Sequence, residues 1–267
     1  MTPERVPNVL AAVLAATRAV VEIRKVSCPV ERLEAAAADR RPDARRLVEQ
    51  LARRGALNVI AECKRRSPSR GVLRAEYDAG MMAARYEASG AAAISVLTEP
   101  TFFDGSLDDL EDVRQSVSLP VLRKDFVIDE YQLVEARAAG ADAVLLIVAA
   151  FDDGRLRALH EAARALGLAA LVEVHTREEL ERALALSPDL VGVNSRDLRT
   201  LRVDPAAALA LVDAIPDEVV AVAESGLSCH DDLCRFRDRG FDAFLVGERL
   251  VSSPDPGRAL GELLGCS

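Results

Sequence analysis

Six polar residues stand at the ends of short apolar runs in this chain. Glu62 and Lys64 lie in Ala61-Glu62-Cys63-Lys64, Lys124 in Leu122-Arg123-Lys124-Asp125-Phe126 and Glu173 in Leu171-Val172-Glu173. Asn194 follows Val193, and Glu224 lies in Ala223-Glu224-Ser225-Gly226. Ammonium and carboxylate groups brought to one place can serve as general acid and general base, their proton affinities set by desolvation and by each other. The period of two along a strand puts Glu62 and Lys64 on one face and Cys63 on the other, and groups Leu122, Lys124 and Phe126. No histidine ends these runs: His160 and His230 fall in or at the edge of helical stretches, and His175 directly follows a strand. The acid–base work therefore falls to Lys and Glu. A single strand-end Glu is as readily half of a structural ion pair. Several ionisable groups converging from different strands point to chemistry, because buried charge is costly unless it is paired or used.

The elements that must position these residues follow one rhythm. Short β-branched runs near 58–63, 91–98, 120–126, 143–148, 169–174, 190–194, 219–224 and 243–246 read as strands. Between and after them, 77–89, 107–116, 129–138, 155–166, 177–186, 206–214, 231–238 and 257–264 read as helices. Gly90, Gly140, Gly167 and Gly240 follow helical stretches as stops, and Thr176, Asp204 and Asp255 precede them as caps. Strands that are apolar throughout belong to a parallel sheet buried on both faces. Eight strand–helix units predict a single (β/α)8 barrel of the TIM type, with an open doubly wound sheet as the alternative. No G-x-G-x-x-G turn follows the first strand, so a dinucleotide site is not indicated. Residues 57–267 would form the barrel. Residues 1–56 would be an N-terminal helical extension packed on it, with helices near 9–24 and 44–54 that plug one end or shape a pocket. No linker divides the chain, which reads as one domain.

In such a barrel the active site lies at the C-terminal ends of the strands. The Ser225-Gly226 turn and Gly247 suit the phosphate site that this fold builds from its last two strand–helix loops, where backbone N–H groups approach an anion. The basic, Ser-rich stretch Arg65-Arg66-Ser67-Pro68-Ser69-Arg70-Gly71 suits an anionic substrate, and also fits an ordinary solvated loop.

Composition narrows the classes further. Lys plus Arg is 34 against 43 for Asp plus Glu, a net charge of −9, with no basic run; a nucleic-acid partner is not expected. No apolar stretch reaches the roughly 18 residues of a membrane span. Glu4 and Arg5 give no positive start for a signal peptide. The 5 cysteines form no C-x-x-C, which argues against a disulfide scaffold or a zinc site and fits reduced thiols in the cytoplasm. No metal is expected, and the oligomeric state is not readable.

At this point the motifs resemble those of the indole-3-glycerol phosphate synthase family of tryptophan biosynthesis. The most specific are Ile60-Ala61-Glu62-Cys63-Lys64-Arg65-Arg66-Ser67-Pro68-Ser69-Arg70-Gly71 and Leu122-Arg123-Lys124-Asp125-Phe126. Ser95-Val96-Leu97-Thr98-Glu99 with Phe102-Phe103-Asp104-Gly105-Ser106, Val172-Glu173-Val174-His175, Gly192-Val193-Asn194-Ser195-Arg196-Asp197-Leu198, Ala223-Glu224-Ser225-Gly226 and Leu245-Val246-Gly247-Glu248 follow in order. The resemblance implies conversion of 1-(2-carboxyphenylamino)-1-deoxyribulose 5-phosphate to indole-3-glycerol phosphate, CO2 and water, without cofactor. It implies Lys124 as general acid, Glu173 as base or proton-shuttling carboxylate, and Lys64 as second catalytic cation. Glu62 and Glu224 would orient the lysines, and Asn194 would hydrogen-bond the intermediate. Ser67, Lys64 and Arg196 would hold the anthranilate carboxylate, and Pro68, Phe103, Phe126 and Leu198 would wall its ring. Ser225, Gly226, Gly247 and Glu248 would bind phosphate through backbone N–H groups. Glu248 departs from relatives that carry Ser there, and its carboxylate would repel a phosphate unless it points away. Three other readings stay open: phosphoribosylanthranilate isomerase, a Schiff-base aldolase using Lys124 or Lys64, and a phosphate-binding barrel that does not turn over.

Overall fold

The computed structural model of the chain describes residues 9–266, so Glu4 and Arg5 lie outside the described residues. Eight parallel strands close into a barrel: β1 (Asn58–Cys63), β2 (Ala93–Leu97), β3 (Val121–Lys124), β4 (Ala143–Ile147), β5 (Ala169–Val174), β6 (Leu190–Asn194), β7 (Val220–Glu224) and β8 (Ala243–Val246). Each pairs with its neighbours in sequence, and β8 returns to β1 with Asn58 opposite Ala243. The caps act as the sequence predicts. Thr176 Oγ1 accepts the Glu179 N–H, and the Asp204 and Asp255 side chains accept backbone N–H groups of the turns they open.

Strand parity sorts the core into two shells. Ile60, Leu122, Leu145, Leu171, Leu190, Val222 and Leu245 point into the barrel. The alternate residues, among them Val59, Ala61, Cys63, Val121, Val172 and Phe244, pack under the helices. Cys63 is therefore outside the barrel, its thiol near the Ala79 carbonyl, and Glu62 is inside.

The N-terminal extension serves both ends of the barrel. Helix α1 (Val9–Ser27) crosses the C-terminal mouth, where Leu10, Val13 and Leu14 join Phe103, Phe126 and Leu198 in the inner shell. Helix α2 (Val30–Ala37) packs beside the helix that follows β3, whose Tyr131 hydroxyl donates to the carbonyls of Arg24 and Cys28. Helix α3 (Ala44–Leu51) closes the opposite end with Leu47 and Leu51. The Asn58 amide, donating to the carbonyls of Leu51, Arg53 and Asp242, secures it there.

The details differ from the sequence expectation in several places, among them the following. The α2 segment was not anticipated. The stretch 206–214 is a helix over Pro205–Leu209 and a separate 3-10 turn over Val212–Ala214, ended where Pro216 holds Ile215 extended at φ −85°, ψ 125°. The basic stretch after β1 is a tight ribbon pairing Arg66–Ser67 with Gly71–Val72.

Candidate active site

The inward residues at the C-terminal strand ends line a cleft of about 780 Å³. Its lining includes Glu62 and Lys64 after β1, Lys124 from β3, Glu173 from β5, Asn194 from β6, and Glu224, Ser225 and Gly226 at the end of β7. Leu97, Leu145, Ile147 and Leu245 form its apolar floor. A smaller cavity of about 80 Å³ opens beside it, bounded by Ser67, Pro68, Phe103, Phe126, Arg196 and Leu198 and roofed by Val9, Leu10 and Val13 of α1. Every candidate residue named from the sequence lines one of these two spaces.

Lys124 is the centre of the charge cluster. Its Nζ lies 2.9 Å from Glu224 Oε2 and 3.4 Å from Glu173 Oε2. Burial alone would lower the pKa of this ammonium, but the carboxylates of Glu224, Glu173 and Glu62 outweigh it and hold the group well above the ordinary lysine value. The two partners diverge. Burial would raise Glu173, yet the Lys124 charge, His175 and the Asn194 amide, which donates to Oε1 at 3.1 Å, hold it far below the usual carboxylate range. Glu224 goes up, driven first by burial and then by Glu173, against the pull of Lys124. Lys64 makes a separate ion pair with Glu62.

Space for these carboxylates is made by absent side chains. A Cβ at Gly192 would collide with Glu224 Oε1, and one at Gly247 would collide with Glu62 Oε1. Gly247 thus has a second use beside the backbone approach expected of it. Ser225 and Gly226 both adopt the left-handed conformation, at φ 65° and 75°; for a serine this is uncommon and strained, and such conformations gather at ligand-binding turns. The Glu248 carboxylate does not project freely toward an anion. Arg70 Nε holds Oε1 at 2.9 Å, and Arg196 Nη2 lies 3.7 Å from Oε2. This links the loops after β1, β6 and β8 across the mouth and neutralises the charge that was expected to repel phosphate.

Comparison with known proteins shows the family. The family model described as indole-3-glycerol phosphate synthase matches residues 10–263. The chain belongs to this family. A synthase of that name from Kineococcus radiotolerans is 50% identical over 260 residues, spanning 96% of this chain and 95% of the relative. One from Koribacter versatilis is 45% identical, spanning 97% and 99%. Among solved structures, 3-hexulose-6-phosphate synthase superposes with a TM-score of 0.63 at 17% identity, over 79% of this chain and 99% of that one. At that identity the likeness speaks to the barrel alone.

For a member of the indole-3-glycerol phosphate synthase family, two features of the site lay beyond the sequence reading. The sequence places His175 just past its strand and leaves the acid–base work to Lys and Glu alone. In the bend just past the strand the imidazole turns back to the side of Glu173, and its Nε2 lies 3.4 Å from Glu173 Oε1. Its place directly after the strand that carries Glu173 was the available signal. The second feature is the tie of Arg70 to Glu248, for which a loop arginine gave no signal.

Proposed function

We propose that this chain closes the indole ring of 1-(2-carboxyphenylamino)-1-deoxyribulose 5-phosphate, yielding indole-3-glycerol phosphate, CO2 and water. One observation carries the reading: a buried lysine ringed by three glutamates at the C-terminal mouth of a barrel, within a chain matched by the synthase family along nearly its whole length. An aromatic carbon attacks the substrate ketone, and the developing alkoxide takes a proton. An ammonium held this firmly keeps its proton until a base stronger than its carboxylate partners appears beside it, which suits Lys124 to that step. Loss of CO2 restores the ring. Dehydration then needs an acid to expel hydroxide and a base to take a proton, for which Lys64 and ionised Glu173 are the candidates. Asn194 would keep Glu173 in place while hydrogen-bonding the intermediate.

For binding, the apolar cavity under α1 fits the anthranilate ring, with Ser67, Lys64 and Arg196 at its carboxylate. The turn at Ser225-Gly226 and the backbone at Gly247 and Glu248 would hold the phosphate. The packing of helices Val9–Ser27 and Ala44–Leu51 on opposite barrel ends supports reading residues 1–56 and 57–267 as one domain. No helix among the described residues is long and apolar enough to cross a membrane. With all 5 cysteines free, a cytoplasmic enzyme is the reading we favour.

Two rival chemistries fit less well. A Schiff-base lysine must lose its proton to act as a nucleophile, and Lys124 is held in the opposite direction. An isomerase with a cysteine base after the first strand would need Cys63 in the cleft. That thiol is buried in the outer shell, and burial pushes its pKa up.

The test is a fluorescence assay with the carboxyphenylamino deoxyribulose phosphate. The chain has no Trp, so new indole emission stands on a low background. Appearance of indole-3-glycerol phosphate is the expected result, and binding without turnover would overturn the reading. In the same assay Glu173→Gln and Lys64→Ala should each lower kcat by about 10²–10⁴-fold, the range of a positioned acid or base; near-normal kcat in either would remove that residue from the chemistry. Gly192→Ala places a methyl where Glu224 Oε1 lies. Displacing that carboxylate from Lys124 should cost about 10²-fold in kcat while the barrel stays folded, and wild-type kcat would show that the Glu224–Lys124 contact has no part in turnover.

A further inference from the structure

We infer that His175 is a positioning residue for Glu173, the middle of a carboxylate–imidazole–carboxylate chain, Glu173–His175–Glu179, that runs from the buried Glu173 to the half-buried Glu179 and holds Glu173 in place opposite Lys124. The inference rests on the reading of Glu173 as the catalytic carboxylate.

The geometry runs outward from the cleft. Glu173 Oε2 faces Lys124, and Oε1 receives the Asn194 amide and faces His175 Nε2 at 3.4 Å. That nitrogen is buried and has no hydrogen-bond partner, so the nearby Glu173 carboxylate is its electrostatic counterpart. On the other side of the ring, Nδ1 lies 3.1 Å from Glu179 Oε2, and the His175 backbone N–H donates to the same oxygen at 2.7 Å. Glu179 is itself fixed, because it sits in the first turn of the helix Arg177–Leu184 with its N–H on the Thr176 hydroxyl. The ring cannot turn without breaking a contact that a helix start holds in place. The charged groups facing the imidazole are Glu173 on its own strand, Glu179 on the following helix and, in the loop after β6, Asp197, which is paired with Arg199. Burial would lower the imidazole, but the two glutamates outweigh it and bring its pKa up to about 10. The ring is then a cation at neutral pH with a proton on each nitrogen, hydrogen-bonded to Glu179 through Nδ1 and facing Glu173 as a charge through Nε2.

A capping Glu179 with an incidental ring beside it would give the same contacts on that side, so the test must read the ring's charge and its effect on turnover separately. The first measurement is long-range 1H–15N NMR of the intact protein, whose 3 histidines are assigned through His175→Gln. His175 should remain doubly protonated up to about pH 8.5 and titrate at lower pH in Glu173→Gln and in Glu179→Gln. The second is steady-state kinetics. His175→Gln and Glu179→Gln should each lower kcat about tenfold or more with KM within about twofold, since an ill-placed base loses part of its contribution without changing ground-state binding. His175→Phe, which keeps the ring's bulk but no donor, should be slower than His175→Gln. The inference is overturned by a His175 that titrates near the ordinary histidine value in the wild type, by wild-type kcat in both Gln variants, or by a Phe variant that outperforms Gln. The NMR arm needs no substrate, so a protein that fails to turn over the proposed substrate while keeping the cationic ring refutes the reading of the site and leaves the ion chain standing.

Discussion

Replacing Lys124 with Ala should lower kcat by about 10³-fold, a loss within the range for a general acid and for a preorganised charge at the reacting centre. The barrel should nevertheless remain folded. Removing one partner of a buried ion pair ordinarily strands the other charge at a cost of several kcal/mol. Here Glu224 has an alternative: its carboxyl is already pushed up by burial and by Glu173. With Lys124 gone, the group that opposed this shift is gone as well, and Glu224 should take up a proton and sit neutral beside ionised Glu173. The variant should therefore show the far-UV circular dichroism of the wild type and bind substrate or product, while its indole fluorescence stays near background. Proton uptake on substitution is visible independently as a rise in the carboxyl C=O stretch near neutral pH. Turnover within about tenfold of wild type would exclude Lys124 as the proton donor. A collapsed fold would mean that Lys124 serves mainly to neutralise three buried glutamates.

Which parts of this arrangement were legible beforehand follows from where the signal resides. Period two is a local property, so the division of Glu62 and Lys64 from Cys63, and of Lys124 from Arg123, could be read from a few residues, and the structure keeps both. His175 lies one residue past the strand end at Val174, where the strand period no longer fixes a direction, so its turn toward Glu173 was not legible. Helix α2 buries only Ala37, so it shows no apolar stripe by which periodicity could reveal it. Gly192 and Gly247 read as ordinary turn or strand glycines until Glu224 and Glu62 are seen occupying the volume a Cβ would take. The bridge from Arg70 through Glu248 to Arg196 joins three loops far apart in the chain, and nothing local encodes such a meeting. The dual use of the extension, α1 over the C-terminal mouth and α3 under the opposite end, was likewise beyond a pattern that offered only two amphipathic helices and a choice between plug and pocket.

Arg123 makes the strongest stability prediction, one residue from the lysine that makes the strongest catalytic one. Parity sends Lys124 into the barrel and Arg123 outward, into the layer between β3 and the helix that follows it, where its side chain is 0% exposed. A guanidinium there survives only because its donors are met. Nε donates to Thr98 Oγ1 at 3.0 Å, Nη1 to the Gln132 carbonyl at 2.7 Å, and Nη2 to Asp125 Oδ2 at 2.9 Å and Glu135 Oε2 at 3.1 Å. Burial would lower its pKa, but Asp125 and Glu135 reverse that, and the planar fork suits contacts in several directions that an ammonium cannot reproduce. Arg123→Ala removes the cation and leaves two carboxylates and a helix carbonyl buried without it, which should cost about 3–5 kcal/mol. For a chain of this size that is a fall in Tm of roughly 6–20 °C. Arg123→Lys should recover part of the loss, because one ammonium can restore the charge but not all four contacts. Glu135 has a second partner, Arg24 of α1 at 3.4 Å, so the loss is shared with the extension. A double-mutant cycle between Arg123 and Glu135 should return a coupling of about 1–3 kcal/mol. A loss under about 1 kcal/mol in Arg123→Ala would mean that water or rearranged neighbours satisfy the stranded carboxylates. The two adjacent basic residues would then differ only in the face they occupy, and the outward one would not be what holds the helix after β3 against the strand that carries Lys124.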